Sequence, residues 1–195
     1  MEPLDYYKKA WDVVAKDLVG WFIFNLVWVF TIPICGLGLL LMANVTRESK
    51  AAIAEGRAPS IGALFSFSTI GRDIVAIIIF AVAMSLGSGV SFGLLSIVFL
   101  LLFQFLFPIL ADDRYEPVDC AKLSAKFFLA DWQKPTIFGA IGLGVSIAGS
   151  MFFITSPLAM AIREVATRLY YEDNRGAVDA IAASEGIQRL GGPVG

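Results

Sequence analysis

The chain contains no histidine and few charged residues, and both absences narrow the range of functions. Only 16% of its 195 residues are Asp, Glu, Lys or Arg, against about 25% in a typical soluble domain. Without histidine, the sequence lacks the most common general acid–base residue and the most common transition-metal ligand. A net charge of −2 provides no basic field that would hold nucleic acid. We therefore expect a non-enzymatic protein with no catalytic residues, no cofactor, no metal and no nucleic-acid partner.

Cysteine is scarce as well, with Cys35 inside an apolar run and Cys120 in a polar segment far along the chain. A zinc site needs several closely spaced ligands, and this pair of cysteines does not supply them. We expect both residues to be free thiols.

Apolar residues, by contrast, are abundant: they make up 57% of the chain, and the mean hydropathy is +0.75. They are concentrated in runs too long for the core of a soluble protein of this size, which indicates that lipid is the solvent. The sequence predicts an all-α integral membrane protein whose first partner is the lipid bilayer. Its four main hydrophobic segments cover residues 18–45, 74–87, 91–111 and 135–160.

Pro33 and Pro157 interrupt the first and the last of these segments, which leaves two topologies open. In one, each broken segment is a kinked single crossing, and the chain crosses the bilayer four times. In the other, each broken segment is re-entrant and returns to the side from which it came, which gives three hairpins. Irregular backbone at membrane depth is tolerated where other parts of the protein cover it.

The distribution of positive charge favours the re-entrant topology. Segments 46–72 and 112–134 each contain four Lys or Arg residues, whereas the short joint 87–91 contains none. The positive-inside rule therefore places both segments on the cytoplasmic side of the membrane, which we expect to be a bacterial inner membrane. Four plain crossings would put the two Lys/Arg-containing termini outside, whereas three hairpins keep them in the cytoplasm.

Three regions follow from this pattern. Residues 1–17 form an amphipathic helix predicted to lie in the membrane interface, and its apolar stripe consists of Leu4, Tyr7, Trp11, Val14 and, just beyond it, Leu18. Residues 18–162 form the polytopic membrane domain. Residues 163–195 form a C-terminal cytoplasmic extension, which we expect to be helical in two pieces that separate at Gly176.

A weak internal repeat appears when the sequence is shifted by 58 residues. It aligns Pro59 with Pro117 and Asp73 with Asp131, each pair at the entry to a membrane segment. In both copies the carboxylate is predicted to cap the next helix, because a helix N-terminus favours negative charge.

Several short motifs resemble the YesL-type family of uncharacterised bacterial membrane proteins. An Asn-x-x-Trp pattern begins at Asn25, leads to a Pro-x-x-Gly break at Pro33 and runs on to a basic cytoplasmic segment. Later stretches at 110–114, 121–124 and 131–132 look like patterns shared by small polytopic families. The resemblance implies a helical membrane fold with cytoplasmic surface helices, and it brings no activity with it.

Few polar residues within the apolar runs are candidates for function. Asn25 and Gln104 are predicted to form hydrogen bonds between membrane helices. Arg163 and Glu164 are expected at the cytoplasmic edge of the last segment, where a long side chain can reach water.

Two functional hypotheses remain open. The first is an accessory or scaffold subunit that packs against other membrane proteins or against copies of itself. The alternative is a small homo-oligomeric transporter or channel, favoured by the repeat and by the two Pro-broken segments in corresponding halves.

Overall fold

The structure, a computed structural model, describes residues 1–31, 37–90, 94–151 and 155–190. These residues form helices joined by turns, and none of them lies in a β-strand, so the all-α prediction is confirmed. Pro33 and Cys35 lie outside the described residues. The helices are α1 (Pro3–Lys16), α2 (Leu18–Thr31), α3 (Leu37–Leu40), α4 (Met42–Glu55), α5 (Ile61–Leu64), α6 (Ile70–Val90), α7 (Leu94–Leu102), α8 (Leu106–Leu110), α9 (Pro117–Ala130), α10 (Gln133–Ser150) and α11 (Ser156–Ser184).

One helix of the described residues is long and apolar enough to cross a bilayer. This is α6, in which Ile70–Ser88 has a mean hydropathy of 2.0. A second candidate arises only if α1 and α2, which are bent by 101° at their junction, form a single broken span. Within the described residues, the four hydrophobic segments of the sequence thus contain one helix of spanning length, or two if α1 and α2 are counted as one span.

The bend between α1 and α2 has a local cause. Asp17 follows the last residue of α1, and its carboxylate accepts the N–H of Gly20 at 2.9 Å, which starts α2 in a new direction. Only part of the predicted apolar stripe of α1 is buried. Its buried residues are Pro3, Tyr6, Tyr7, Ala10 and Val14, whereas Leu4 and Trp11 are about half exposed, at 51% and 47%.

Helix α11 is the central element, with α1, α2, α4, α9 and α10 packed around it. It contains 29 residues in one continuous helix about 43 Å long. The predicted separation at Gly176 is therefore wrong. Val178 and Ala182 beyond Gly176 belong to the same hydrophobic core as Val165 before it, and this packing outweighs the roughly 1 kcal/mol that a helical glycine costs. The helix also continues without a break across residues 162 and 163.

An aromatic cluster joins four parts of the chain to α11. Tyr170 of α11 packs against Phe138 of α10 with ring centroids 4.6 Å apart. It also stacks on Phe105, between α7 and α8, at 5.3 Å, and contacts Tyr6 of α1 at 5.0 Å. Phe127 of α9 completes the cluster, 5.2 Å from Phe105. These contacts join residues from both ends of the sequence into one core.

The chain reverses its direction after α2, after α6 and after α10. Phe24 of α2 and Val45 of α4 belong to one buried cluster, although a straight helix would place them about 31 Å apart. Ser88 and Ser96 lie within hydrogen-bonding distance, 2.9 Å, across the second reversal. Helices α10 and α11 pack so closely that α10 requires glycine at position 149. The described helices therefore form three hairpins.

Replacement of Gly149 tests the α10–α11 contact. A Cβ atom at this position would lie 2.2 Å from Cβ of Ala159, so Gly149→Ala must push the two helices apart. We expect a loss of about 1–3 kcal/mol in the free energy of unfolding, measured by denaturant titration in detergent. Gly144→Ala is the matched control, because nothing lies within 4 Å of its added Cβ and α10 should gain about 0.5–1 kcal/mol. Equal effects of the two substitutions would contradict close packing at Gly149.

Candidate functional site

The charged segments of the chain meet at one end of the helix bundle, around the carboxylate of Asp112. The side chain of Asp112 is fully buried. It accepts hydrogen bonds from Lys50 of α4 at 2.9 Å and from Arg168 of α11 at 2.6 Å, and Arg175 of α11 lies 3.0 Å away. The Tyr171 hydroxyl donates to its second oxygen at 2.9 Å. One buried anion thus binds three cations from two distant parts of the sequence.

These contacts determine the ionisation of the cluster. Burial by itself would raise the pKa of Asp112, but the charges and hydrogen bonds of Arg168 and Lys50 outweigh it, and the pKa lies below its ordinary value. Arg168, only 1% exposed, also donates to the Pro108 carbonyl at 2.9 Å and to Glu172. Asp112 is therefore a carboxylate, and not a carboxylic acid, at neutral pH.

Further ion pairs extend this cluster into what we call the ionic network. Arg47 of α4 binds Asp73 of α6 through two hydrogen bonds of 2.8 and 2.7 Å. Arg72 pairs with Asp113 at 2.9 Å. The network consists of Arg47, Lys50, Arg72, Asp73, Asp112, Asp113, Arg114, Arg168, Glu172, Arg175, Asp179 and Arg189. Segments 46–72 and 112–134 and the second half of α11 therefore lie at the same end of the protein.

The N-terminal helix reaches this end as well. The Tyr6 hydroxyl of α1 donates to the Asp173 carboxylate of α11 at 3.0 Å. Burial, followed by this hydrogen bond, raises the pKa of Tyr6 to about 12, so the hydroxyl remains a donor at physiological pH.

A cavity of about 220 Å³ lies between the helices, and three of the predicted residues line it. Gln104 is far in sequence from the neighbouring residues Arg163 and Glu164, but the fold brings all three to this cavity. The remaining wall is mainly apolar and includes Trp28, Met42, Phe80, Leu100, Phe103, Phe107 and Met160. Polar groups concentrated in an apolar cavity are typical of a site that binds and orients a small molecule.

The charged groups of the cavity have few partners. Oε1 of Glu164 is buried without a hydrogen-bond partner, and the Thr46 hydroxyl lies beside the carboxylate. Arg163 makes one long contact of 3.5 Å with the Ser146 hydroxyl. In the part of the chain that the structure describes, neither charge belongs to an ion pair. One oxygen of the Glu164 carboxylate is thus shielded from water, although the residue as a whole is only half-buried.

The other predicted residues have different surroundings. Gln104 donates to the Pro135 carbonyl at 3.2 Å and so links two hairpins. Asn25 is buried, but it donates to the Trp21 carbonyl of its own helix at 3.0 Å, and its Oδ1 has no partner. Pro157 lies in the first turn of α11, where the missing N–H costs no helical hydrogen bond.

Asp73 and Asp131 are not equivalent in the structure. Asp73 is 2% exposed, lies inside the first turn of α6 and, besides Arg47, accepts a hydrogen bond from Thr69 at 2.9 Å. Asp131 follows the end of α9, and its side chain is 57% exposed, with Lys134 at 3.9 Å. The prediction of two equivalent caps therefore fails, since the first carboxylate is half of a buried ion pair and the second is at the surface.

Asp112 and Arg168, which hold the ionic network together, are not among the residues predicted from the sequence. Nothing in the sequence indicates that Asp112, the first of two adjacent aspartates, contacts Arg168, which lies 56 positions later. The one available signal was the position of Asp112 directly after an apolar run, where an unpaired charge is unfavourable.

The described residues offer little for metal or thiol chemistry. Among them, no group of three or more possible metal ligands lies close enough together to bind an ion. Burial raises the pKa of the Cys120 thiol to about 12, which keeps it protonated and unreactive at neutral pH.

Comparisons with known protein families, with curated proteins and with solved structures return no match. The YesL-type resemblance therefore depends on the sequence motifs alone and stays a prediction.

The importance of the central carboxylate is tested by Asp112→Asn. The amide removes the counter-charge of three cations, and we expect a loss of about 3–5 kcal/mol in the free energy of unfolding. The control is Asp131→Asn, whose exposed carboxylate should change stability by less than about 0.5 kcal/mol. Both values follow from denaturant titration in detergent, monitored by circular dichroism. Similar small losses for both variants would mean that the ionic network does not stabilise the fold.

Proposed function

We propose that this chain is an integral membrane protein that crosses the bilayer as three helical hairpins. The main support is the surface of α6. Only 22% of the apolar window in Ile70–Ser88 is buried, whereas the apolar core helix of a soluble protein is mostly buried. Its outward-facing residues include Ile74, Val75, Ile78, Val82 and Leu86. A continuous exposed face of this kind is stable in lipid and would cause aggregation in water.

Other helices add to this apolar surface. Helix α2 exposes Val19, Ile23 and Phe30, and α10 exposes Ile137 and Ile147, the last at 64%. Helix α7 contributes Leu95, Ile97 and Val98. At least one helix of each hairpin therefore presents large apolar side chains outward, as expected when lipid surrounds all three.

The ionic network supports three hairpins over four single crossings. If the first and last apolar runs each crossed once, the charged termini would lie opposite segments 46–72 and 112–134. Instead Arg168 and Arg175 of α11 bind Asp112 beside Lys50, and Tyr6 of α1 binds Asp173. The positive-inside rule then places this end in the cytoplasm of a bacterial cell.

The angle between the first two helices supports an interfacial position for α1. If α2 enters the bilayer, a bend of 101° directs α1 along the membrane surface. Leu4 and Trp11 are exposed on one side of α1 and would enter the headgroup region there, with Leu18 at the start of α2 exposed as well. The charged residues of α1 lie on the side of the helix opposite its buried residues; they are Asp5, Lys8, Lys9, Asp12 and Lys16.

Single cysteines test this topology in a variant that lacks Cys35 and Cys120. We expect Lys9→Cys and Glu185→Cys to be protected in intact cells from a membrane-impermeant maleimide, and to react after the membrane is opened. Ser88→Cys, at the joint between α6 and α7, should react in intact cells. Labelling of Lys9→Cys or Glu185→Cys from outside would exclude the three-hairpin arrangement and favour four crossings.

Within the membrane, we propose a non-enzymatic role as an accessory or scaffold subunit. The observation that carries this proposal is the apolar face of α6, which is wide enough to contact helices of another membrane protein or of a second copy. The ionic network supports it too, because its twelve charged residues are engaged in ion pairs that hold the helices together and not in chemistry.

Extraction in mild detergent, followed by mass spectrometry of what accompanies the chain, tests the scaffold role. We expect a stoichiometric membrane partner that is lost when Ile78→Glu changes the centre of the α6 face. Leu190→Glu, exposed near the end of α11, is the control and should retain the partner. Recovery of a monomer alone would contradict the scaffold role.

A second candidate function is supported by the cavity: a small homo-oligomeric transporter. Gln104, Arg163 and Glu164 line a space between hairpins, which is where transporters of this architecture place their substrates. Flux through liposomes that contain the chain should fall when Gln104 or Glu164 is replaced, if this role is correct.

A further inference from the structure

The cavity is lined by an acidic and a basic side chain that form no ion pair within the described residues. Oε1 of Glu164 is buried with no hydrogen-bond partner, and Arg163 has only its 3.5 Å contact with Ser146. The buried carboxylates of Asp73 and Asp112, by contrast, each bind arginine. A buried carboxylate oxygen without a partner is costly, and beside it at the same cavity lies an arginine with a single long hydrogen bond.

The size and the walls of the cavity limit what can fill it. Its volume of about 220 Å³ exceeds the roughly 150 Å³ of an engineered cavity that binds benzene. Aromatic rings of Trp28, Phe80 and Phe103 form part of the wall. Such rings favour an apolar group, and their faces also attract an ammonium group. Water alone would leave these apolar walls poorly solvated.

We propose that this cavity binds a small zwitterion with an apolar part. Its ammonium group pairs with Glu164, its acidic group pairs with Arg163, and its apolar part packs against the aromatic wall. This chemistry occurs in a free amino acid with a large apolar side chain and in a zwitterionic lipid headgroup. The inference names the substrate class for the transport role proposed above, but binding itself does not require transport.

Isothermal titration of the full chain in detergent tests the proposal with defined probes. The two zwitterions are phenylalanine and dihexanoyl phosphatidylethanolamine, and phenethylamine and 3-phenylpropanoate each carry one charge of phenylalanine. We expect at least one zwitterion to bind, and Glu164→Gln and Arg163→Gln each to raise its Kd about tenfold to a hundredfold. If phenylalanine binds, both single-charge probes should bind at least about tenfold more weakly than phenylalanine.

Matched variants separate loss of charge from loss of fold. Glu185→Gln and Arg189→Gln remove exposed charges outside the cavity and should leave the Kd unchanged. Ser146→Leu fills the cavity from α10 without removing either charge and should abolish binding.

Three results would overturn the proposal. The first is that neither zwitterion binds, and the second is that phenethylamine binds as tightly as phenylalanine while Arg163→Gln has no effect. The third is that the control variants weaken binding as much as Glu164→Gln and Arg163→Gln do. Which zwitterion binds distinguishes a soluble metabolite from a lipid. Phenylalanine that binds, but is not carried into liposomes, would support the site and exclude transport of this probe.

Discussion

The buried carboxylate of Asp112 imposes the arrangement on which the rest of the fold depends. Removing a carboxylate from water costs several kcal/mol, and that cost is offset only when cations approach it with good geometry. Here the cations come from α4 and α11, Lys50 and Arg168 among them, so the ends of different hairpins must lie together. Once they do, the apolar runs between them have to leave this end and return to it.

This requirement also explains helices that are short for a bilayer. Helix α2 has 14 residues, or about 21 Å, against a hydrocarbon layer of about 30 Å. A short helix can remain at membrane depth if its ends are covered by neighbours. Phe24 and Trp21 of α2 are buried almost completely, and Trp28 donates from its indole N–H to the Gly38 carbonyl at 2.9 Å. In the proposed membrane arrangement, the chain that follows α2 thus supplies Trp28 with a polar partner that lipid would not.

Features that depend on nearby residues were predictable from the sequence. The composition predicted helices throughout, and apolar periodicity identified α1. Pro157, predicted to interrupt the last apolar segment, lies in the first turn of α11. Predictions that needed long-range packing failed: glycine at 176 does not end α11, because the core continues past it, and Asp73 binds Arg47 instead of only capping its helix. The convergence of Gln104, Arg163 and Glu164 at one cavity likewise depends on hairpin geometry, which a linear pattern does not contain.

Asp112 and Glu164 show two outcomes for an acidic side chain within the same bundle. The charge of Asp112 meets three cations of the chain, so its cost is offset within the fold and stabilises the hairpins. One oxygen of Glu164 is buried too, but within the described residues no cation lies at ion-pair distance from it, even though Arg163 precedes it on α11. Adjacent residues of a helix point about 100° apart, so the pair lines the same cavity without closing on itself. Arg163 and Glu164 therefore do not pair with each other. A ligand that carries both an acidic and an ammonium group can pair with both side chains at once.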